Sequence, residues 1–324
     1  MSFAKSVLEM LGRDPGLKPD DSTYDEDARV LHLAKRDIKG KKERTDAIKA
    51  ERDAKPSNKW RWRRWASIVI INALFVLSFR FDVQLIEGSL SASRVVGFHF
   101  ADLNAALQVM LAYKQILINL VIGTVTVLVL WWLLGGRTFC SWVCPYHLLS
   151  EGAEYLHLKL AKMKLIRDMA LHRGLRTVLY VVFVVLTAAT GYTVFESISP
   201  VGIVSRAMIY GPGFALIWVV GLLAFEVFFI RRAWCRYMCP IGLTYGFVGI
   251  TSPVYVKYDM ENCLHEGDCR KICMVPHVLE PTKKGYARKK QTSIGPDCTR
   301  CGMCVDVCPT QSLVFDVKGL NKLL

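Results

Sequence analysis

The chain has no apolar run at its start: MSFAKSVLEMLGRDPG lacks the core that a secretory signal peptide requires. It carries no nucleic-acid recognition motif either, although its formal net charge is +14 over 324 residues. No nucleic-acid partner is therefore expected, and the charge needs another explanation. Nor do its 11 cysteines suit a disulfide framework, because the number is odd and several stand two or three residues apart, as metal ligands do. Basic residues are scarce in two stretches: 82–114 holds only Arg94 and Lys114, and 196–212 only Arg206.

Long apolar blocks are what the sequence does have, at 52% hydrophobic residues. Four segments, Trp65–Phe81, Gln115–Leu134, Arg176–Phe195 and Gly213–Ile230, approach the ~20 residues that cross a ~30 Å hydrocarbon core. The expected fold is an α-helical polytopic membrane protein with four transmembrane helices. KWRWRRW, residues 59–65, precedes the first span as a cationic and aromatic anchor at the lipid surface. The connection 136–175 holds Arg137, Lys159, Lys162, Lys164, Arg167 and Arg173, and both chain ends are basic. Positive charge stays on the cytoplasmic side, so both termini and this connection should lie there in an inner membrane. Three domains are expected: a charged arm over 1–58, a membrane domain over 59–250 and a metal-binding domain over 251–324. The arm, with KRDIKGKKERTDAIKAERDAK at its centre, reads as a solvated helix, a disordered segment or a docking site for a partner.

No span contains histidine, so a bis-histidine haem within the bilayer is not expected. Glu226 is the one acidic exception inside a span, and such a residue is a functional candidate. Arg231 and Arg232 follow one turn later, so an ion pair is the alternative role. His147 and His157, on the basic connection, are expected at the surface.

The membrane part repeats itself. RTFCSWVCPYHLL follows the second span and RAWCRYMCPIGLT the fourth, both with the pattern R-x-aromatic-C-x-aromatic-x-C-P, 95 residues apart. SRVVGF at 93–98 and SRAMIYG at 205–211 suggest that the preceding loops correspond as well. A duplicated two-helix unit keeps both copies in one orientation, about an axis along the membrane normal. Cys140, Cys144, Cys235 and Cys239 then share a face. A structural metal, a redox disulfide, a third iron–sulfur cluster or simple packing could each use them. Their place after helix ends at a basic surface should favour thiolate.

The C-terminal domain carries the most specific signal. Cys298, Cys301, Cys304 and Cys308, with Pro309, form C-x2-C-x2-C-x3-C-P. In that motif three thiolates bind one [4Fe–4S] cube and the fourth belongs to another, whereas a zinc ribbon would favour two separated CxxC pairs. CLHEGDCRKIC, starting at Cys263, repeats the pattern with Glu266 in place of one cysteine. Cluster one is thus assigned to Cys298, Cys301, Cys304 and Cys273, and cluster two to Cys263, Cys269 and Cys308. Cluster two is either [3Fe–4S] or [4Fe–4S] completed by Glu266, His265, Asp268 or water. A ligand that donates less charge than thiolate should shift its potential.

GGRTFCSWVCP, WCRYMCP, the four spans and the two-cluster ferredoxin domain together resemble the NapH family, over about residues 60–316. These are ferredoxin-type membrane proteins of periplasmic nitrate reductase systems, related to the membrane part of NosR and to the assembly protein CcoG. The resemblance implies a quinol dehydrogenase subunit of a multisubunit complex. Quinol from the membrane pool would be oxidised, with Glu226 as candidate proton acceptor, and electrons would pass to an iron–sulfur or cytochrome partner. Two features depart from the family pattern: the long charged arm, and Glu266 where members usually have cysteine. The alternatives are a cupric reductase resembling CcoG, whose family carries a further C-terminal domain, and a membrane scaffold without redox function.

Overall fold

The computed structural model describes residues 3–13, 19, 21–35, 46, 50, 58–82, 86–95, 97–169 and 171–319. The middle of the charged arm, including most of KRDIKGKKERTDAIKAERDAK, lies outside the described residues. Two short helices lead the chain, α1 (Phe3–Met10) and α2 (Glu26–Ala34). Residues 59–162 hold α3 (Lys59–Arg80), α4 (Leu103–Tyr113), α5 (Ile118–Leu134), α6 (Thr138–Trp142) and α7 (Pro145–Lys162). Residues 175–251 hold α8 (Leu175–Thr190), α9 (Val194–Ile198), α10 (Pro200–Tyr210), α11 (Leu216–Phe228), a π-turn over Trp234–Met238 and α12 (Pro240–Thr251).

Each of the four apolar segments is helical. By length and composition one of them, α3, qualifies to cross a membrane, whereas α5, α8 and α11 are shorter apolar helices. Their outer faces expose leucine, valine and aromatic side chains, among them Val69, Leu133, Val181, Trp218 and Phe228. The inner faces meet in one core around Trp131, Phe139, Tyr146, Phe195, Trp234 and Tyr245.

The two basic-poor stretches do not simply connect spans. In the first, Ile86–Ser89, Ala92–Val95 and Phe98–Ala101 form an antiparallel meander, β1 to β3, that leads into α4. In the second, α9 and α10 follow one another without a strand. SRVVGF thus lies on the meander and SRAMIYG on α10, so the two loops do not correspond in structure. Val95 suits the strand that it ends and Gly97, with φ +86°, the turn after it; Ala207, Met208 and Ile209 suit a helix better.

Both stretches fold back into the bundle, and each packs on helices of the other half of the bundle. From the first, α4 rests against α8 and α12; from the second, α10 rests against α7 and α3. Tyr245 on α12 donates its hydroxyl to Asp102, which caps α4 by accepting from Asn104 and Ala105. Phe195 stacks on Trp234 with ring centroids 6.1 Å apart.

The C-terminal lobe is built on a sheet in the order β5-β4-β6, with β4 (Val254–Asp259) between β5 (Gln291–Ser293) and β6 (Leu313–Val317). Val256 and Tyr258 point inward from β4 at the period-two spacing of a half-buried strand. Two five-residue helices, α13 (Asp268–Ile272) and α14 (Met303–Val307), carry the cysteine runs past this sheet.

The arm is not simply solvated where it is described. Met10 is fully buried against Gly246, and Arg173 and Arg176 donate to the carbonyls of Glu9 and Met10. Ala28 on α2 belongs to the core of the lobe.

Candidate iron–sulfur centres

The two cysteine runs fold as near copies. Arg300 and His265 both take left-handed backbone, at φ 51° and 57°, and both donate their N–H to the preceding cysteine sulfur at 3.4 Å. Gly302 and Gly267 follow at φ 77° and 90°, where glycine avoids the Cβ clash, and a short helix starts after each. This register places Glu266 where Cys301 stands in the second run.

The lobe has two cavities beside these runs. One is lined by Cys273, Cys298, Cys301 and Cys304, with Val256, Val278 and Leu279 around them. Cys263, Cys269 and Cys308 line the other, which His265, Glu266 and Asp268 border. Around the latter, His265 Nδ1 lies 2.9 Å from the Thr282 carbonyl, and Ser312 N–H donates to Cys308 Sγ at 3.3 Å. Burial pushes Cys273, Cys298 and Cys304 up, and neighbouring cysteines add to the effect for Cys273 and Cys304. Metal binding therefore has to drive their deprotonation.

The four CxxxCP cysteines converge in the bundle core, with Cys144 and Cys239 buried. Cys144 and Cys239 are N-caps of α7 and α12, and a proline opens each helix. The expected thiolate preference does not survive this burial. Desolvation raises all four thiols, Cys239 to about 12, against the opposing pull of Arg137 on Cys140. Among the described residues no group of three or more His, Cys, Asp or Glu is gathered as a single metal ion would require. Thiolates on the separate irons of a cube stand farther apart than four around one zinc, at about 2.3 Å each.

Direct bonds join bundle and lobe beside these thiols. Ser141 Oγ donates to the Thr299 carbonyl at 2.7 Å, and Trp142 Nε1 to the Arg300 carbonyl at 3.1 Å. Asp297, one residue before Cys298, is buried between Arg137 and Arg176, with His277 Nε2 at 2.8 Å. Burial alone would raise its carboxyl, but Arg137 and Arg176, then His277, hold it well below the usual carboxylate range. From the lobe, Asp306 accepts from Trp60 and Arg61 N–H at the start of α3. KWRWRRW therefore faces inward in part: Trp60 packs on Phe315 and Arg64 is fully buried, while Trp62 is exposed.

His147 and His157, expected at the surface, are buried. Arg64 approaches His147 Nε2 at 2.7 Å and Arg232 approaches Nδ1 at 3.4 Å. The basic connection folds back along the bundle, which withdraws both rings from water. Glu226 is buried too, accepting from Ser150 Oγ at 2.7 Å and Trp234 N–H at 3.0 Å. Arg231 and Arg232, its expected ion partners, pair with Glu154 instead.

Sequence reasoning passed over Asp297, Arg176 and His277, which no motif marks. Arg137 and Arg232 did carry a signal, since both open their CxxxCP repeat. A charged residue repeated beside paired cysteines at a helix end invites a search for a buried partner.

Comparison with known proteins fits this geometry. A model described as a 4Fe-4S binding domain matches residues 117–164 and 212–252, which contain the four CxxxCP cysteines. A second 4Fe-4S binding domain model matches residues 296–314. The ferredoxin-type protein NapH of Escherichia coli K12 is 32% identical over 259 residues, covering 77% of this chain and 88% of that protein. The chain belongs to the NapH-type ferredoxin family. The methylamine utilization ferredoxin-type protein MauN of Methylorubrum extorquens is 29% identical, over 80% of this chain and 89% of its own. The putative electron transport protein YccM of Escherichia coli K12 is 31% identical over 57% of this chain and 53% of its own. No solved structure matches the chain. As a family member with 4Fe-4S binding domains, the chain is a ferredoxin-type electron-transfer protein.

Proposed function

We propose that this protein is a four-span inner-membrane subunit of a quinol dehydrogenase, with three iron–sulfur ligand sets arranged in series. The observation that carries the reading is the docking of the cluster-one loop on the first CxxxCP loop through Ser141–Thr299, Trp142–Arg300 and Arg137–Asp297. Iron–sulfur clusters, when bound, supply one-electron carriers. The chain holds and spaces their ligands. Cys140, Cys144, Cys235 and Cys239 form the set inside the bundle. Cys273, Cys298, Cys301 and Cys304 form the next, and Cys263, Cys269 and Cys308, with Glu266 beside them, the outermost.

The exposed apolar faces of α3, α5, α8 and α11 support membrane insertion, with the short helices completed by their flanking residues. The inward fold of α4 and α10 supports a bundle set that both membrane faces approach. Asp102 and Phe195, from the basic-poor side, reach Tyr245 and Trp234 next to the second CxxxCP. Glu226 is the proton acceptor of this reading, buried in the same core at the end of α11. An electron-transfer protein completes the complex at the outermost set.

Anaerobically purified protein in detergent tests the proposal. Three [4Fe–4S]-type centres would contain about 12 irons and about 12 labile sulfides, or one iron fewer with a [3Fe–4S] centre. Quinol should reduce the centres, which brings up the EPR signal of reduced [4Fe–4S] clusters. Absence of labile sulfide, or sulfide-containing protein that no quinol reduces, defeats the reading.

A further inference from the structure

We propose that Lys35, carried by the N-terminal arm, is the residue that sets the potential of cluster two. The inference rests on the ligand sets proposed above and adds a role for the arm. The starting observation is a difference between the two otherwise matching loops. In the second run, Arg300 folds back and its guanidinium Nη1 donates to the carbonyl of Cys298 at 2.9 Å. Cluster one thus has a permanent cation built into its own loop. The matching residue of the first run is His265, whose ring turns to the Thr282 carbonyl. The matching carbonyl, that of Cys263, instead accepts from Lys35 Nζ at 2.6 Å. The same ammonium also donates to the carbonyl of Met260.

Lys35 is held in place by the whole of α2. The helix starts at Asp25, whose N–H donates to the Arg288 carbonyl at 2.9 Å. Tyr24 donates its hydroxyl to the Gly285 carbonyl at 2.7 Å, and His32 Nε2 lies 2.9 Å from the Ala287 carbonyl. Ala28, fully buried, packs in the lobe core. Lys35 closes α2 through its N–H to the Leu31 carbonyl, and its side chain reaches the Cys263 turn. The first loop has histidine where the second has Arg300, and a distant segment brings a cation to the matching carbonyl.

A cation there favours the reduced, more negative cluster. A unit charge about 12 Å away, at an effective dielectric of about 20, changes a one-electron equilibrium by about tenfold, and a nearer one by more. Arg270 and Lys284 also bear on this region, as do Glu266 and Asp268 lining the cavity. Those groups belong to the lobe itself and remain unchanged when Lys35 is replaced.

The test is an EPR-monitored redox titration of the full-length, anaerobically purified protein. Lys35→Gln keeps a donor and removes the charge. It should make reduction of one ferredoxin-type centre at least about tenfold less favourable, at least about 59 mV for one electron, and leave the others in place. Lys35→Arg should behave as wild type. His265→Arg, added to Lys35→Gln, should restore most of the shift by returning a cation to the loop, where Arg300 shows that arginine accepts the backbone. Loss of one signal in Lys35→Gln that Lys35→Arg retains also supports the inference. Unchanged potentials in Lys35→Gln overturn it. So do equal shifts of all centres, or the same change or signal loss in Lys35→Gln and Lys35→Arg. A wild-type protein without a second ferredoxin-type signal overturns the two-cluster reading itself.

Discussion

Replacing Asp297 by asparagine should loosen the lobe from the bundle. Asp297 carries the carboxylate for Arg137 and Arg176, which are 2% and 4% exposed. Removing one partner of a buried pair costs about 3–5 kcal/mol, because the other charge is left buried and uncompensated. Asparagine retains a hydrogen-bond acceptor, which favours the lower end, about 3 kcal/mol. Each 1.4 kcal/mol is tenfold, so the undocked fraction should rise by about two powers of ten. Limited proteolysis of the Thr251–Pro253 connection reads this, since cleavage follows the open population when reclosing is fast. Cleavage should be about 100-fold faster than in wild type under the same conditions. A second variant checks the cause: Asp297→Leu with Arg137→Met and Arg176→Met removes the charges together and should recover much of the protection. Wild-type cleavage of Asp297→Asn, or a triple variant cleaved as fast as the single one, refutes the reasoning.

Glu266→Cys should alter the EPR signature or potential of one cluster only; an unchanged spectrum with unchanged potentials means that Glu266 is neither a ligand nor next to one. Pairing Cys140→Ser with Cys239→Ser should lower the iron content by about four per chain and leave both ferredoxin-type signals in place; full iron content shows that these thiols hold no cluster. Glu226→Gln should retain every iron yet slow quinol-driven reduction by at least about tenfold, and wild-type rates remove Glu226 from proton transfer. Gly302→Ala should displace α3, because its Cβ would meet the Trp60 ring at 2.6 Å on a backbone of φ +77°; a cost of about 1–3 kcal/mol should appear as faster cleavage of the same connection.

The recurring cysteine spacings were legible because they are local. A turn that wraps a cluster needs its thiols at fixed short intervals, and the left-handed residue and glycine of CTRCG recur in LHEGD for the same steric reason. The apolar segments and the repeated R-x-aromatic-C pattern were legible for similar reasons, since period and composition are written along the chain. Their exact helix lengths were not. The inward fold of α4 and α10 left no clear trace, because a stretch poor in charge reads alike as a loop and as buried core. SRVVGF and SRAMIYG show how a short likeness can adopt two structures.

By itself the sequence determined the family, the ferredoxin motif and the absence of a cysteine at position 266. Only the tertiary structure decided which charges meet. Asp297 finds Arg137 and Arg176 across more than a hundred residues, and Lys35 reaches Cys263 from the far end of the chain. Such pairs depend on where the backbone brings distant segments together, and a carboxylate or an ammonium carries no local pattern that names its partner.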